Sequence, residues 1–253
     1  MPQTNILLSG ANGRLGKAII ASASETDCRV AAGIDPVPTA GNIPVYPSIA
    51  EIPDNLEFDC IVDCSHHTAA IPLLDYAKSK NLPIVICTTG HTEEETAAIH
   101  AAAEFIPVFY SRNMSVGINL ILLLAKKAAS VLGEDFDIEI IEKHHNKKLD
   151  APSGTALMIA DAISDSLDYS PEYVYERQSK RAPRQKTEIG IHSVRGGNIV
   201  GEHEVIFAGT DEVITISHSA ASREVFARGA LRAAKFIAAQ KPGFYNMESM
   251  LSM

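Results

Sequence analysis

The feature that most constrains this chain is the rhythm of its first 110 residues, where short apolar runs alternate with segments of helical period. Asn5 to Leu8, Arg29 to Ile34, Phe58 to Cys64, Pro83 to Cys87 and Pro107 to Tyr110 have the length and composition of buried strands. Between them, Arg14 to Ser24 places Leu15, Ile19 and Ile20 on one helical face, and Thr68 to Ser79 predicts a second helix. Thr92 opens a third, with Glu95 three residues on at capping-box spacing. Strands apolar on both faces need helices above and below them. A doubly wound parallel α/β domain is therefore predicted.

The pattern then changes. Gly117 to Leu132 predicts a long apolar helix, and the run Ile118 to Ala125 within it reads as a buried piece of helix. Asp137 to Glu142 alternates as a strand through Ile138 and Ile140, and about Ser164 to Lys186 is polar and reads as loop. From Glu188 to Ala220 the alternation is that of antiparallel strands, with Gly209 to Glu212 as a hairpin turn. A final helix, Arg223 to Ala239, aligns Phe226, Ala230, Ala233 and Ala234. The predicted organisation is a dinucleotide-type domain over residues 1–115 plus 219–253, and an α+β domain with an open mixed or antiparallel sheet over 116–218.

Composition excludes some roles. At 46% hydrophobic and 21% charged residues the chain is too apolar to be disordered. A net charge of -9 argues against a general nucleic-acid surface, yet leaves room for a locally basic site that takes an anionic small molecule. No apolar run approaches the roughly 20 residues that cross a bilayer. Met1 leads straight into a strand-like segment with no basic stretch or cleavage site, so a cytoplasmic location and no membrane partner are expected. The cysteines Cys28, Cys60, Cys64 and Cys87 contain no Cys-x-x-Cys pair and read as reduced core thiols.

Two motifs carry chemistry. Gly10-Ala11-Asn12-Gly13-Arg14-Leu15-Gly16 joins the first strand to the first helix. Its glycines allow a tight turn and a close approach of backbone to a pyrophosphate at the helix N-terminus. The spacing G-x-x-G-x-x-G is also that of a plain steric turn, and its position between strand and helix is what favours the phosphate. Asp35, at the end of the second strand, can accept hydrogen bonds from an adenosine ribose or serve as a turn aspartate before Pro36. An acid there leans toward NADH over NADPH, with Arg14 and Lys17 as possible offsets to the repulsion of a 2′-phosphate. Thr88-Thr89-Gly90 ends a buried strand where open α/β sheets hold ligands.

The second motif runs from Glu142 to Ala156. It holds His144, His145, Lys143, Lys147 and Lys148 within six residues, then Ser153-Gly154-Thr155 at a helix start. Cationic side chains beside a helix N-terminus suit a carboxylate, and His beside Lys suits proton transfer near neutral pH. A lysine-rich loop is also the common form of a solvated face. Metal is disfavoured, because adjacent histidines point apart and no third ligand stands at useful spacing.

The run of residues from Glu142 through Ala156 closely resembles the signature of dihydrodipicolinate reductases, and the similarity extends along the chain. Gly10 to Gly16 is similar to that family's cofactor loop, Thr88-Thr89-Gly90 to its nicotinamide-side loop, and Ser111 to Asn119 to its interdomain segment. Gly201 to Val205 and Ser222-Arg223 match its substrate domain and closing helix. The resemblance implies a Rossmann domain plus a tetramer-forming domain, and NAD(P)H-dependent reduction of dihydrodipicolinate in the diaminopimelate route to lysine. It also implies His144 as proton donor or acceptor, Lys148 as second catalytic donor, and His145, Ser153, Gly154 and Thr155 as substrate contacts. Cofactor contacts are implied at Gly10, Ala11, Asn12, Gly13, Arg14, Leu15, Asp35, Cys87, Thr88, Thr89, Ser111, Arg112, Asn113 and Met114, with no metal. Leu15 stands where Met is common and Cys87 where Gly is frequent. Pro36 follows Asp35 where NADPH-using members often carry a basic residue, which again leans toward NADH. Another two-domain dehydrogenase, or a dinucleotide sensor without catalysis, would share the first motif and have no reason to contain the second.

Overall fold

The computed structural model of the chain describes residues 3–37 and 41–252, so Met1 lies outside them. The elements run in chain order β1 (Thr4–Ser9), α1 (Arg14–Ala23), β2 (Cys28–Ile34), β3 (Val45–Tyr46), β4 (Cys60–Asp63), α2 (Ala70–Lys80), β5 (Ile84–Ile86), α3 (Glu93–Ala102), β6 (Pro107–Tyr110), α4 (Val116–Leu132), β7 (Asp137–His144), α5 (Gly154–Ser164), β8 (Glu172–Val174), β9 (Glu188–Arg195), β10 (Gly201–Ala208), β11 (Val213–Ala220), α6 (Glu224–Ile237), β12 (Gly243–Tyr245) and α7 (Met247–Leu251). They form two compact units, Met1–Val116 with Arg223–Met253, and Gly117–Ser222.

The first unit is built on a seven-stranded sheet in the order β12-β6-β5-β4-β1-β2-β3, parallel throughout. Successive residues of a strand face opposite sides, so β1 sends Ile6 and Leu8 into one core and Leu7 into the other. The first core collects residues of α1 and α6, including Ile19, Ala230, Ala233 and Ala234. The second collects Leu73, Leu74, Ala77, Ile99 and Ala102 of α2 and α3. Each fully buried Ile or Leu contributes about 2 kcal/mol. Thr92 caps α3 as expected: its hydroxyl accepts from Glu95 N–H at 3.2 Å, while Thr92 N–H donates to Glu95 Oε2 at 2.8 Å. Strands β3 and β12 and helix α7 were not anticipated. The strands are two and three residues long at the two sheet edges, too short to show a period.

The second unit carries a five-stranded sheet in the order β11-β10-β7-β9-β8. β10 and β11 form the expected antiparallel hairpin, closed by Gly209 N–H donating to Glu212 O at 2.9 Å, and β10 also runs antiparallel to β7. The expectation of antiparallel strands throughout Glu188 to Ala220 fails at β9, which lies parallel to β7 and not beside β10. Its first half, Glu188 to Ile191, is buried on both faces, the mark of an inner strand with cover above and below. The polar stretch from Ser164 to Lys186 likewise holds a strand, β8, parallel to β9; only Val174 in it is buried, too little to register as alternation.

Helix α4 and the turn after it, Val116–Asp135, span 20 residues with an 18-residue window of mean hydropathy 1.6, long and apolar enough by length and composition to cross a bilayer. No unbroken apolar run in it approaches that length, because Lys126 and Lys127 interrupt it. The helix is also not buried all round. Ile121, Ala125 and Ala129 pack with Ile138, Ile140, Ile189, Ile191, Val205 and Phe207 of the sheet, whereas Leu120 and Leu124, inside the run expected to be buried, are about half exposed.

Candidate active site

The glycine loop follows β1 and makes a cradle that side chains would fill. Gly10 sits at φ +80, in the left-handed region, and a Cβ there would stand 2.7 Å from Cys64 O. A Cβ on Gly16 would stand 2.1 Å from Gly10 O. Ala11 is buried beneath the turn, and Asn12 N–H donates to Asp35 Oδ2 at 3.0 Å while Val37 N–H donates to Oδ1 at 3.2 Å. Asp35 thereby ties the end of β2 to the loop. Gly13 caps α1 with no side chain, and the first turn holds no acidic residue, features that suit an anion at the helix N-terminus. A cleft of about 480 Å³ opens here, lined by Gly10, Gly13, Asp35, Ser65, His66 and Thr68 among others. Beside it, Leu15, Cys64, Ser65, His66, His67, Cys87, Thr88 and Thr89 line a second hollow. Arg14 and Arg112 are exposed. Ser111 is buried, its hydroxyl donating to Asn113 O at 2.8 Å; Asn113 Oδ1 accepts from Ser115 N–H at 2.9 Å, and Met114 lies in the first core.

The basic loop follows β7 in the second unit. Lys148 N–H donates to His145 O at 3.1 Å, and Asn146 and Gly196 N–H reach Gly197 O and His144 O, which brace the turn against the loop after β9. Lys148 Nζ stands 2.9 Å from Asp150 Oδ2, whose carboxyl this hydrogen bond holds below its ordinary range. Gly154 and Thr155 begin α5. Ser153 is only 2% exposed: its hydroxyl caps α5 by accepting from Ala156 N–H at 3.1 Å and lies 3.2 Å from His203 Nε2. That hydroxyl is committed inside the fold, at the N-terminal end of α5 that Gly154 and Thr155 begin.

Beneath the loop lies Glu142, 0% exposed. Arg195 reaches it in bidentate fashion, at 2.7 Å to each oxygen; His144 Nδ1 lies 2.6 Å from Oε2, and Ser153 N–H donates to Oε1 at 3.0 Å. Burial alone would push this carboxyl up. The hydrogen bonds from Arg195, His144, Ser193 and Ser153 outweigh it and hold the carboxyl at about 2. His203 meets the His144 ring edge-on at 5.3 Å, and burial, aided by the field of His144, pushes it down to about 4.

Sequence profiles of the dihydrodipicolinate reductase N-terminus and C-terminus match residues 4–114 and 117–251. The 4-hydroxy-tetrahydrodipicolinate reductase of Caldanaerobacter subterraneus is 53% identical over 97% of each chain. The chain belongs to the dihydrodipicolinate reductase family. The reductase of that name from Clostridium tetani is 47% identical, over 98% of this chain and 96% of its own. A dipicolinate-bound dihydrodipicolinate reductase from Paenisporosarcina shares the fold at a TM-score of 0.82 and 22% identity, covering 96% of this chain and 97% of that one. A myo-inositol dehydrogenase from Corynebacterium glutamicum shares it more distantly, at 0.61 and 15% identity.

The residues fit the NAD(P)H of a dihydrodipicolinate reductase. The glycine cradle would hold a pyrophosphate against α1, and the buried Thr88 hydroxyl, which has no partner of its own, stands at the second hollow. His145 Nδ1 is buried and unpartnered in the same way beside the basic loop. Among the described residues no group of three His, Cys, Asp or Glu could hold a metal. Sequence reasoning missed two sets of residues. Ser65 and His66 line both hollows, and they follow the carboxyl end of β4 as Thr88 follows β5, so the rule that pointed to Thr88 could have found them. Arg195 had no local signal, since it meets Glu142 across 53 residues of sequence.

Proposed function

We propose that the chain reduces 4-hydroxy-2,3,4,5-tetrahydrodipicolinate (dihydrodipicolinate) to 2,3,4,5-tetrahydrodipicolinate in the diaminopimelate route of lysine biosynthesis. Overall, a hydride and a proton are taken up and water is lost. NAD(P)H, when bound, supplies the hydride from its nicotinamide C4. Gly10, Ala11, Asn12, Gly13, Arg14 and Leu15 hold the pyrophosphate, Asp35 the adenosine ribose, and Cys87, Thr88, Thr89 and Ser111 to Met114 the nicotinamide side. An acid at Asp35 without a basic neighbour favours NADH.

The observation that carries this reading is the cationic loop joined to the start of α5 above a buried, ionised Glu142. His145 and the backbone N–H groups of Gly154 and Thr155 bind the substrate's carboxylates, and Ser153 fixes the helix end that presents them. Holding a dianion there neutralises its charge and fixes its orientation on the loop. His144 and Lys148 deliver the proton. No metal takes part. The open five-stranded sheet supports a homotetramer, since an open sheet needs covering. The partner is a small dicarboxylate, with no nucleic acid and no membrane, in the cytoplasm.

The test is a coupled assay with purified dihydrodipicolinate synthase, pyruvate and aspartate semialdehyde, following oxidation of NADH and NADPH in parallel. Rapid oxidation that vanishes in Lys148→Ala is expected. Folded protein that binds NADH yet oxidises neither cofactor would overturn the proposal.

A further inference from the structure

Two ionisable side chains beneath the basic loop, His144 and Arg195, converge on one buried carboxylate. Glu142 lies at the inner end of β7, two residues before His144, and takes five hydrogen bonds from four directions: two from Arg195 and one each from His144, Ser153 and Ser193. Arg195 itself is tied down, donating also to Asp150 O at 2.7 Å and Val194 O at 2.8 Å, so the fork cannot swing away. A carboxylate held this firmly can accept hydrogen bonds and cannot donate one. The contact at His144 Nδ1 is therefore Nδ1–H donating to Glu142 Oε2.

We propose that Glu142, locked by Arg195, is a positioning residue that holds the ring proton of neutral His144 on Nδ1 and so makes Nε2 the nitrogen that takes up a proton from solvent and passes it to the substrate. The inference rests on the function proposed above and adds to it which atom works and what holds it. Unconstrained neutral histidine distributes its proton over both nitrogens. A ring that could turn would present either one, and transfer to substrate needs a single nitrogen at a single place.

Two further contacts agree with that assignment. A Cβ at Gly201 would stand 3.2 Å from His144 Nε2 and 3.6 Å from Cδ2, so glycine at the start of β10 leaves this side of the ring open. His203 meets the ring edge-on at 76° and is itself held through Ser153, whose N–H also donates to Glu142. The imidazole is thus clamped at Nδ1 and along one edge, with its Nε2 side kept clear. Lys148, on the same loop, has its Nζ at Asp150 Oδ2, 2.9 Å away.

The deciding measurement is the 15N spectrum of the His144 side chain in the whole protein without substrate, above the pH at which the ring is protonated. The Nδ1–H tautomer is expected in the wild type, and loss of its dominance in Glu142→Gln. A wild-type ring in the Nε2–H form would overturn the proposal whatever the activity. This readout needs no turnover, so it is separable from a failure of the proposed reaction. In the coupled assay Glu142→Gln should lower kcat on the order of 100-fold or more with little change in KM, the size of a general-acid contribution. Glu142→Asp should recover part of it. In a His144→Ala background Glu142→Gln should cost nothing further. An undiminished loss there would mean that Glu142 acts on stability alone and would overturn the proposal. Should Glu142→Gln fail to fold beside an unpaired Arg195, the wild-type spectrum and the Glu142→Asp variant still decide.

Discussion

Lys148 Nζ lies 2.9 Å from Asp150 Oδ2, so the loop that carries the proposed second proton donor also carries its resting counter-ion. The aspartate side chain is 59% exposed, and an exposed pair of this kind contributes about 0–1 kcal/mol. Lys148→Ala should therefore unfold within about 1 kcal/mol of the wild type, and yet lose about 100-fold or more in kcat. Asp150→Ala, which keeps the amine, should cost far less rate. Denaturant titration beside the coupled assay separates the two effects. Equal losses of rate in both variants would show that the pair acts as a unit.

The glycine cradle makes a second prediction. Gly16→Ala places a methyl 2.1 Å from Gly10 O and 2.8 Å from Ala11 O, both backbone atoms that cannot rotate aside. Either α1 or the loop must move, at a cost of about 1–3 kcal/mol. Binding of NADH, followed by fluorescence, should weaken at least tenfold, which corresponds to about 1.4 kcal/mol. Gly133→Ala in the second unit is the control. A Cβ there meets nothing within 4 Å, though its φ of +58 carries strain, so stability should fall while the cleft keeps its shape. Unchanged NADH binding in Gly16→Ala would detach the loop from the cofactor.

Much of this was legible in the sequence, for a local reason. The strands of the first unit are buried on both faces, so their runs stand out, and the capping box of α3 and the turn after β10 are set by residues three apart. What could not be read depends on distant partners. β9 looks like its neighbours in sequence, and only the cover on both faces of Glu188 to Ile191 places it beside β7. The residues of the basic loop were visible as a cluster, but the use of the Ser153 hydroxyl by α5 and His203 was not. The hub at Glu142 is completed by Arg195, which nothing near Glu142 in the sequence announces.

Asp35 gives a prediction on cofactor choice. Both its oxygens already accept backbone N–H groups, from Asn12 and Val37, so the carboxylate is fixed at the mouth of the cleft. A 2′-phosphate brought to it would meet a like charge with no basic residue at position 36 to offset it. Asp35→Asn should shift the ratio of kcat/KM for NADPH over NADH upward by about tenfold, a change of about 1.4 kcal/mol. The ratio from parallel assays is the readout, and it is insensitive to a general loss of activity. A ratio that stays where it was would remove Asp35 from the ribose site.

His203 makes the stability of the second unit depend on pH. It is 4% exposed, and burial pushes it from an ordinary 6.5 down to about 4, so the folded state binds its proton less readily than the unfolded chain does. The stability this neutral ring supports is whole above about 6.5 and declines as pH falls from there toward 4. A depression of that size is worth roughly 3 kcal/mol. Glu142, held at about 2 against an ordinary 4.5, has its own lower window, with stability present above 4.5 and lost as pH falls toward 2. Two acid steps should therefore appear in the free energy of unfolding by denaturant. His203→Gln removes the titrating ring while keeping a group that can reach the Ser153 hydroxyl. In that variant the upper step should flatten and the lower one remain. If the slope between pH 6.5 and 4 is the same in both proteins, the upper step belongs to another group.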